Sequence, residues 1–566
     1  MASTLISPGV LALENDQSFI SQQPVVVGAA IIGPTVKGPV EVPTIVTTYS
    51  QFQNIFGTTF TTASNAYTYF TSIAAYNYFA NGGDSLLVAR VVSGSYTPAT
   101  VAISSSTSTS GSFILETLSE GTIMNSSSSL DASGSLASGS TDNIRFEIQN
   151  SNTSSGTFTL LVRQGNDTTT NPIALETWTN LSLDPFAPNY ISKVIGDYDN
   201  VYNSTFNQIM LTGSFVNASK YIRVKSVTNP TPIYFDNNGV AKAQFTGLIP
   251  NNQSGSFSGA TGTISTTGQY YDTITDGNRS QGIPSSSYTN MINLLSNYDD
   301  YKFNVLLTPG LFNSLQTSTV TTIISNTENR GDNIYVLDLV PYNSSVAATT
   351  AQSVSRNTSY ATSYWPWVQV VDPDLGYRVW VPASTVIGGV YAYNDTVSEP
   401  WFAPAGINRG GLSQVVRAEQ KLSQASRDTL YTNKVNPITT FPGTGVVVYG
   451  QKTLQTRASA LDRVNVRRLL IALKSYISQI SNNLVFEQNT IATRNAFLSQ
   501  VNPYLTSVQQ KQGLYAFKVV MDDSNNTADV IDRNQLIGAI YIQPTKTAEF
   551  IYLNFNILPT GATFPA

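Results

Sequence analysis

The sequence contains no cysteine and no histidine. Without cysteine there are no disulfides, thiolate nucleophiles, cysteine zinc sites or iron–sulfur clusters. Without histidine there is no Ser-His-Asp triad, HExxH zinc helix or imidazole base. Carboxylate or Ser-Lys chemistry remains open, but most enzyme classes lose their usual reactive groups. Charge is also scarce, at 11% of residues, less than half the usual share. A low-charge surface rich in Ser, Thr, Asn and Tyr suits a chain packed against many neighbours; a secreted β-rich protein shares that composition. The net charge of −5 argues against general nucleic-acid binding. No apolar run reaches the length of a membrane span. The opening residues lack the basic and apolar regions of a signal peptide, so synthesis and use in a cytoplasm are expected.

What is present is length and apolar content. A chain of 566 residues implies two to four domains. With 41% apolar residues, 30 Tyr and 25 Phe, it has the material for a large core. Residues 24–33, PVVVGAAIIG, read as a buried strand ended by Gly-Pro. Residues 62–83 read as a helix stopped by Gly82 and Gly83, and residues 85–92 as the next strand. Composition then turns to Ser, Thr and Gly from Ser93 to about Asn143, which predicts exposed loops and weak strands. Alternating strands continue to about Asp276. Helix and strand alternate again from Ser285, which is α/β layering. The pattern predicts a β-rich unit at about 93–280 inserted into an α/β domain begun by residues 1–92.

The strongest helical periodicity covers residues 458–483, through Val466, Leu469, Leu470, Leu473, Ile477 and Ile480. A second helix is predicted over 490–501, interrupted by Pro503. The chain closes on AEFIYLNFNILPTGATFPA. There Ile551, Leu553, Phe555 and Ile557 share one face of an extended strand. Burying four such side chains contributes roughly 6–12 kcal/mol as an upper bound, and an exposed strand of this kind would invite aggregation.

The short motifs favour structure over chemistry. Arg330-Gly331-Asp332 matches an integrin-recognition tripeptide, but Gly331 reads better as a helix C-cap. Residues 441–450, FPGTGVVVYG, lack the Lys-Ser/Thr of a phosphate loop and read as a turn into a strand. The carboxylates of Asp372 and Asp374, and of Asp522 and Asp523, read as turn residues rather than a cation site. Arg457, Arg463, Arg467, Arg468 and Lys474 give the long helix a basic stretch in a chain with only 30 cations.

Six segments, in order, resemble contractile-tail sheath proteins of bacteriophages, especially those of T-even-like myoviruses. SPGV (residues 7–10) is similar to the family's arm opening. Residues 33–57, with Gly-Pro twice and a closing Phe-Gly, resemble its next segment, and NGGDSLLVARVV (81–92) the strand that follows. Residues 360–384 resemble its Tyr-x-Pro-Trp strand and Val-Pro-x-Ser sequel. Residues 388–406 resemble its Gly-Val-Tyr-Ala…Ala-Pro-Ala-Gly loop, and residues 514–555 its C-terminus nearly throughout. Residues 156–197 look like the T-even-like branch in particular.

The resemblance implies a multidomain α+β and α/β chain. A conserved α/β sheath domain would be built from both chain ends (24–92 and 281–544), with a β-rich protruding insertion (93–280) and extended arms (1–23 and 545–566). Pro8, Gly9 and Val10 at one end, and Ile551, Leu553, Phe555 and Ile557 at the other, would belong to arms that add strands to neighbouring copies, with flexible links near 17–24 and 543–547. The implied role is structural, with no catalytic residue, metal or cofactor. Copies would form hexameric rings stacked in a helix around an inner tail tube, then contract to drive the tube through the host envelope during genome ejection. Implied partners are the chain itself, the tube protein, and baseplate and terminator proteins, with no nucleic acid bound and no membrane insertion. The implied location is the virion tail sheath, assembled in the host cytoplasm. Arg463, Arg467, Arg468 and Lys474 are the candidate contact with the tube. Two alternatives remain: a sheath of a phage-tail-like injection machine (tailocin or secretion type), and a carbohydrate-binding adhesin or fibre.

Overall fold

The computed structural model describes residues 27–62, 65–108, 111–124, 135–136, 138–263 and 277–550. Its centre is an eight-stranded sheet. The strands run in the order Thr44–Val46, Leu86–Arg90, Val27–Gly33, Phe303–Phe312, Ile334–Asp338, Ala361–Trp365, Asn436–Phe441 and Gly445–Val448. The six inner strands pair in parallel, and the two outermost join antiparallel. Parallel strands are covered on both faces, so they read as continuous apolar runs. Ala29 and Ile31 pack on one face with Ile73, Ala74, Val386 and Ile387. Ala30 and Ile32 pack on the other with Met291, Val320 and Ile323. Residues before 91 and after 302 therefore share one mixed α/β body.

The helix Ser384–Val397 occupies part of the segment expected as a loop. Its two central glycines permit contact rather than a turn. A Cβ at Gly389 would lie 2.6 Å from the Asn77 carbonyl oxygen of helix Phe70–Ala80, and one at Gly388 would lie 2.7 Å from Leu307. Upstream, residues 65–68 form a strand before that helix begins at Phe70, so the segment read as one helix is two elements. The α-helix Thr317–Arg330 ends as its sequence predicts, with Gly331 left-handed at φ +70° and its N–H donated to the Thr327 carbonyl.

Between the two halves of the body lie two four-stranded antiparallel sheets. One orders Ile222–Val227, Phe113–Glu120, Ser93–Ile103 and Thr261–Thr263; the other orders Ala174–Ser182, Thr157–Gln164, Ile144–Asn152 and Gln253–Ser256. They share a core of Ala99, Ile103, Phe113 and Leu115 with Phe146, Phe158, Leu160 and Val162. Phe113 stacks on Phe158 at 5.5 Å between centroids. The Ser/Thr-rich stretch thus supplies two long core strands, not loops. A strand needs apolar residues only at its inward positions, and Ala99, Ile103, Phe113 and Leu115 supply them here, with the buried Thr117 hydroxyl accepting from the Ala99 N–H. Arg90, fully buried, fixes this unit to the body by donating to the carbonyls of Thr35, Val36, Gly38 and Glu120. Burial lowers its pKa to about 10.

Candidate assembly interface

The C-terminal unit is built on the helices Val464–Asn482 and Ile491–Gln510. The second runs nine residues beyond its predicted end, straight through Pro503. Proline removes one N–H donor, but Pro503 and Ser499 both lie on the exposed side, where water can satisfy the freed carbonyl. Phe497, Val501, Leu505 and Val508 form a buried stripe at helical spacing and meet Leu469, Leu473 and Ile480. Tyr476 and Tyr504 stack at 3.8 Å. Trp401 joins this unit to the body: its indole N–H donates to the Lys511 carbonyl at 3.0 Å, and its own carbonyl accepts from Asn465.

A two-stranded antiparallel sheet, Leu514–Val520 and Ala539–Pro544, lies across these helices. Phe517, Val519, Ile540 and Ile542 face the helices. Tyr515 and Tyr541 point outward, 62% and 63% exposed. Among the described residues, neither outer edge of this sheet pairs with a further strand. Asn526 sets the wide connection between the strands: its side chain exchanges two 2.8 Å hydrogen bonds with the backbone of Ile537. Asp522 turns the chain by accepting from the Ser524 N–H. A two-stranded sheet is marginal by itself; here the helices support one of its faces.

The basic stretch does not form a solvated face. The first turns of helix Val464–Asn482 sink into the body, and Arg467 and Arg468 are each 4% exposed. The Arg467 guanidinium lies 3.9 Å over the Tyr360 ring and donates to the Ser359 carbonyl. Arg468 pairs with Asp395 at 2.5 Å over the ring of Tyr391. Burial opposes the Arg468 charge, but Asp395 more than offsets this and its pKa rises. These two cations are spent inside the subunit, which corrects their expected place at a partner surface. Lys474 is exposed, with its ammonium 3.4 Å from the Tyr360 hydroxyl.

Arg463 has a different position. It grips the Glu549 carboxylate through two bonds of 2.7 and 2.9 Å. Tyr431 donates to the same carboxylate at 2.7 Å, and Gln451 donates to it and to Thr547. Thr545 bonds the backbone of Gly513 and Gln512. Residues 545–549, where the flexible link near 543–547 and the start of the arm at 545 were expected, are strapped to the body. Burial and the neighbouring Glu549 push the Tyr431 hydroxyl far above its ordinary pKa. Burial, with Lys434 and Arg463 nearby, lowers Lys452 to about 8. Sequence reasoning passed over Glu549, although it is the only acid after Asp532; a lone carboxylate in a tail this poor in charge asks for a cation. The arm residues Pro8, Gly9, Val10, Ile551, Leu553, Phe555 and Ile557 lie outside the described residues. Among the described residues, no group of acidic side chains is placed to hold a metal ion. Asp372 and Asp374 sit in a turn in which Asp372 accepts from the backbone N–H of Asp374 and Leu375.

Residues 286–454 match the phage tail sheath protein central domain, and residues 456–558 the phage tail sheath C-terminal domain. The tail sheath protein of Vibrio phage KVP40 is 40% identical over 237 residues, covering 40% of this chain and 35% of that protein. The tail sheath protein of Enterobacteria phage T4 is 37% identical over 227 residues, covering 40% of this chain and 34% of that protein. Each match spans about a third of the relative's length. The crystal structure of a sheath tail protein from Listeria innocua aligns over 92% of this chain and 96% of its own, with a TM-score of 0.55 at 10% identity. That is a likeness of fold.

Proposed function

We propose that the chain is a member of the phage tail sheath family, whose central and C-terminal domains it matches over residues 286–454 and 456–558, and that it is the force-generating subunit of a contractile tail. Copies stack as hexameric rings in a helix around an inner tube, anchored to a baseplate below and a terminator above. On contraction the sheath shortens and drives the tube through the host envelope, so that the genome is ejected. The subunit catalyses nothing; the free energy is stored in the extended assembly. It is made in the host cytoplasm and ends in the virion, with its β-rich unit facing outward.

The observation that carries this reading is the open-edged sheet Leu514–Val520 and Ala539–Pro544. Two residues after Glu549 the sequence begins an alternating pattern that puts Ile551, Leu553, Phe555 and Ile557 on one side of an extended chain. We assign that strand, and the segment around Pro8, Gly9 and Val10, to the sheet of a neighbouring copy by β-augmentation. A contact of this kind joins two different surfaces, so it propagates into a helix instead of closing a dimer. Of the four cations considered for the tube, Lys474 is the one whose exposure suits that contact.

The test is electron microscopy of the full chain beside a version truncated after Pro544. Hollow helical tubes from the full chain and monomers from the truncation are expected. Identical monomers from both would remove the intersubunit strand, and the adhesin alternative would replace this reading.

A further inference from the structure

The β-rich unit meets the body along a seam that carries more acid than it has free cations to answer. On the body side lies the segment 38–41, between strands Val27–Gly33 and Thr44–Val46. On the other side lies the end of strand Phe113–Glu120. Two hydrogen bonds cross directly. The Gly38 N–H donates to the Ser119 hydroxyl, and the Val40 N–H to the Glu120 carboxyl, each at 2.6 Å. Arg90 also crosses, through the carbonyls of Gly38 and Glu120. The next residue of the segment, Glu41, is buried in a left-handed conformation at φ +59°. Its carboxylate accepts from Tyr96 of the β-rich unit at 2.9 Å and from Asn290 of the body at 2.8 Å.

The cations around Glu120 are already engaged. Arg90, at the end of strand Leu86–Arg90, donates to four carbonyl oxygens. Arg223 of strand Ile222–Val227 is paired with Glu116 and with Asp199, each at 2.7 Å. Lys225 is paired with Glu116 at 2.9 Å. At the same seam Lys37 is paired with Asp142 at 3.5 Å. Asp199, on strand Asp199–Asn203, adds a negative charge facing Glu120. Tyr96 faces both Glu41 and Glu120, and burial together with these two carboxylates holds its hydroxyl far above its ordinary pKa. Among the described residues, no cation donates to the carboxyl of Glu120 or to that of Glu41. One backbone N–H is the direct support an ionised Glu120 would have. A carboxyl so placed is more stable neutral, because burial penalises its charge. Burial raises Glu120 to about 7, against the Val40 N–H, Arg90 and Arg223.

We propose that Glu120 is a proton-controlled latch between the β-rich unit and the body. Neutral, it holds segment 38–41 against strand Phe113–Glu120; ionised, it draws in water and lets the two part. The inference concerns the single chain and does not rest on the sheath reading. Its sign is fixed by linkage: the folded value exceeds the unfolded one, so the latch is firm at pH 6 and loosens as pH rises through 7. A rise from 4.5 to about 7 makes the open fraction grow about tenfold between pH 6 and pH 8.

The test is hydrogen exchange of the full chain at pH 6 and pH 8, corrected for the intrinsic rate at each pH. Protection in peptides covering 36–42 and 116–121 should fall about tenfold in the parent, while residues 27–33 of the central sheet keep theirs. E120Q retains a carbonyl oxygen for the Val40 N–H and cannot ionise, so its protection should be equal at both pH values. Protection that is unchanged or higher at pH 8 in the parent, or a fall that persists in E120Q, would overturn the latch. D199N answers the same question should E120Q not fold. The Asp199 side chain is 34% exposed, and removing its charge lowers the Glu120 pKa, so the midpoint of loosening should move to lower pH. An unmoved midpoint would refute the role of Glu120.

Discussion

Substituting Glu549→Ala should free the strap that holds residues 545–549 without unfolding the body. The carboxylate accepts two bonds from Arg463, one from Tyr431 and one from Gln451. A hydrogen bond to a charged group contributes about 1.5–3 kcal/mol, and such terms do not sum when they share one acceptor. The Arg463 and Glu549 side chains keep 24% and 16% of their exposure, so water screens part of the attraction. Arg463 also retains Asp462 at 2.9 Å, so the variant leaves no bare buried cation. Together these place the strap at about 2 kcal/mol, or about a thirtyfold shift toward the released state. Lys546 is exposed within the strap, which makes trypsin the assay. Cleavage after Lys546 needs the chain to lift away, and its rate follows the open population when closing is fast. The variant should be cut about thirty times faster than the parent, with the melting temperature of the body nearly unchanged. Equal cleavage rates would refute the strap. A large fall in melting temperature would mean that Glu549 belongs to the global fold.

Other expectations follow from the same contacts. Burial raises the Asp338 carboxyl to about 7 despite hydrogen bonds from Ser384 and Gly310. Its folded value exceeds its unfolded one, so its stabilisation is full below about pH 4 and is lost as pH rises toward 7, by at most on the order of 4 kcal/mol. Burial raises Glu120 to about 7 as well, despite the Val40 N–H and Arg90, so denaturant titrations across this window should show falling stability, and D338N with E120Q should flatten the slope. Gly331→Ala should cost about 1 kcal/mol by forcing a side chain into the left-handed C-cap, read as a lowered melting temperature. Arg468→Ala should destabilise the monomer by about 1–2 kcal/mol, because it empties the space over Tyr391, while Asp395, 36% exposed, is taken up by water; an assembly defect in a monomer of normal stability would contradict its buried role.

Where burial is symmetrical, the sequence is an open text. Val27–Gly33 and Ile334–Asp338 are covered on both faces, so every residue but the terminal Asp338 is apolar or small and the strand can be read directly. Gly331 was equally legible, because a left-handed cap admits few other residues. The failures have physical causes. Residues 388–406 were expected as a loop, and the helix over the first of them escaped notice because Gly388 and Gly389 are poor helix formers, kept here for close packing on Leu307 and Asn77. Strands Ser93–Ile103 and Phe113–Glu120 disappear into Ser and Thr because only alternate positions reach the core. Arg467 and Arg468 look like a surface stripe because nothing local shows that Ser359, Tyr360 and Asp395, far away in sequence, come to meet them. The sheet of Leu514–Val520 and Ala539–Pro544 was legible as two strands, but that its edges pair with no other described strand was not, since that is a property of the tertiary structure.

The pairing of Val27–Gly33 with Phe303–Phe312 sets a timetable for synthesis. The two strands are about 270 residues apart in sequence, so at roughly 5–20 residues per second the first waits about 15–50 s for its parallel partner. The antiparallel sheets between them draw all their strands from residues 93–263 and can close during that interval. Nascent chains should therefore carry a folded outer unit and an unfinished body. The sheet of Leu514–Val520 and Ala539–Pro544 emerges after both of these units, so the surface proposed to receive a neighbour's strand takes shape only once the outer strands and the body are already in place.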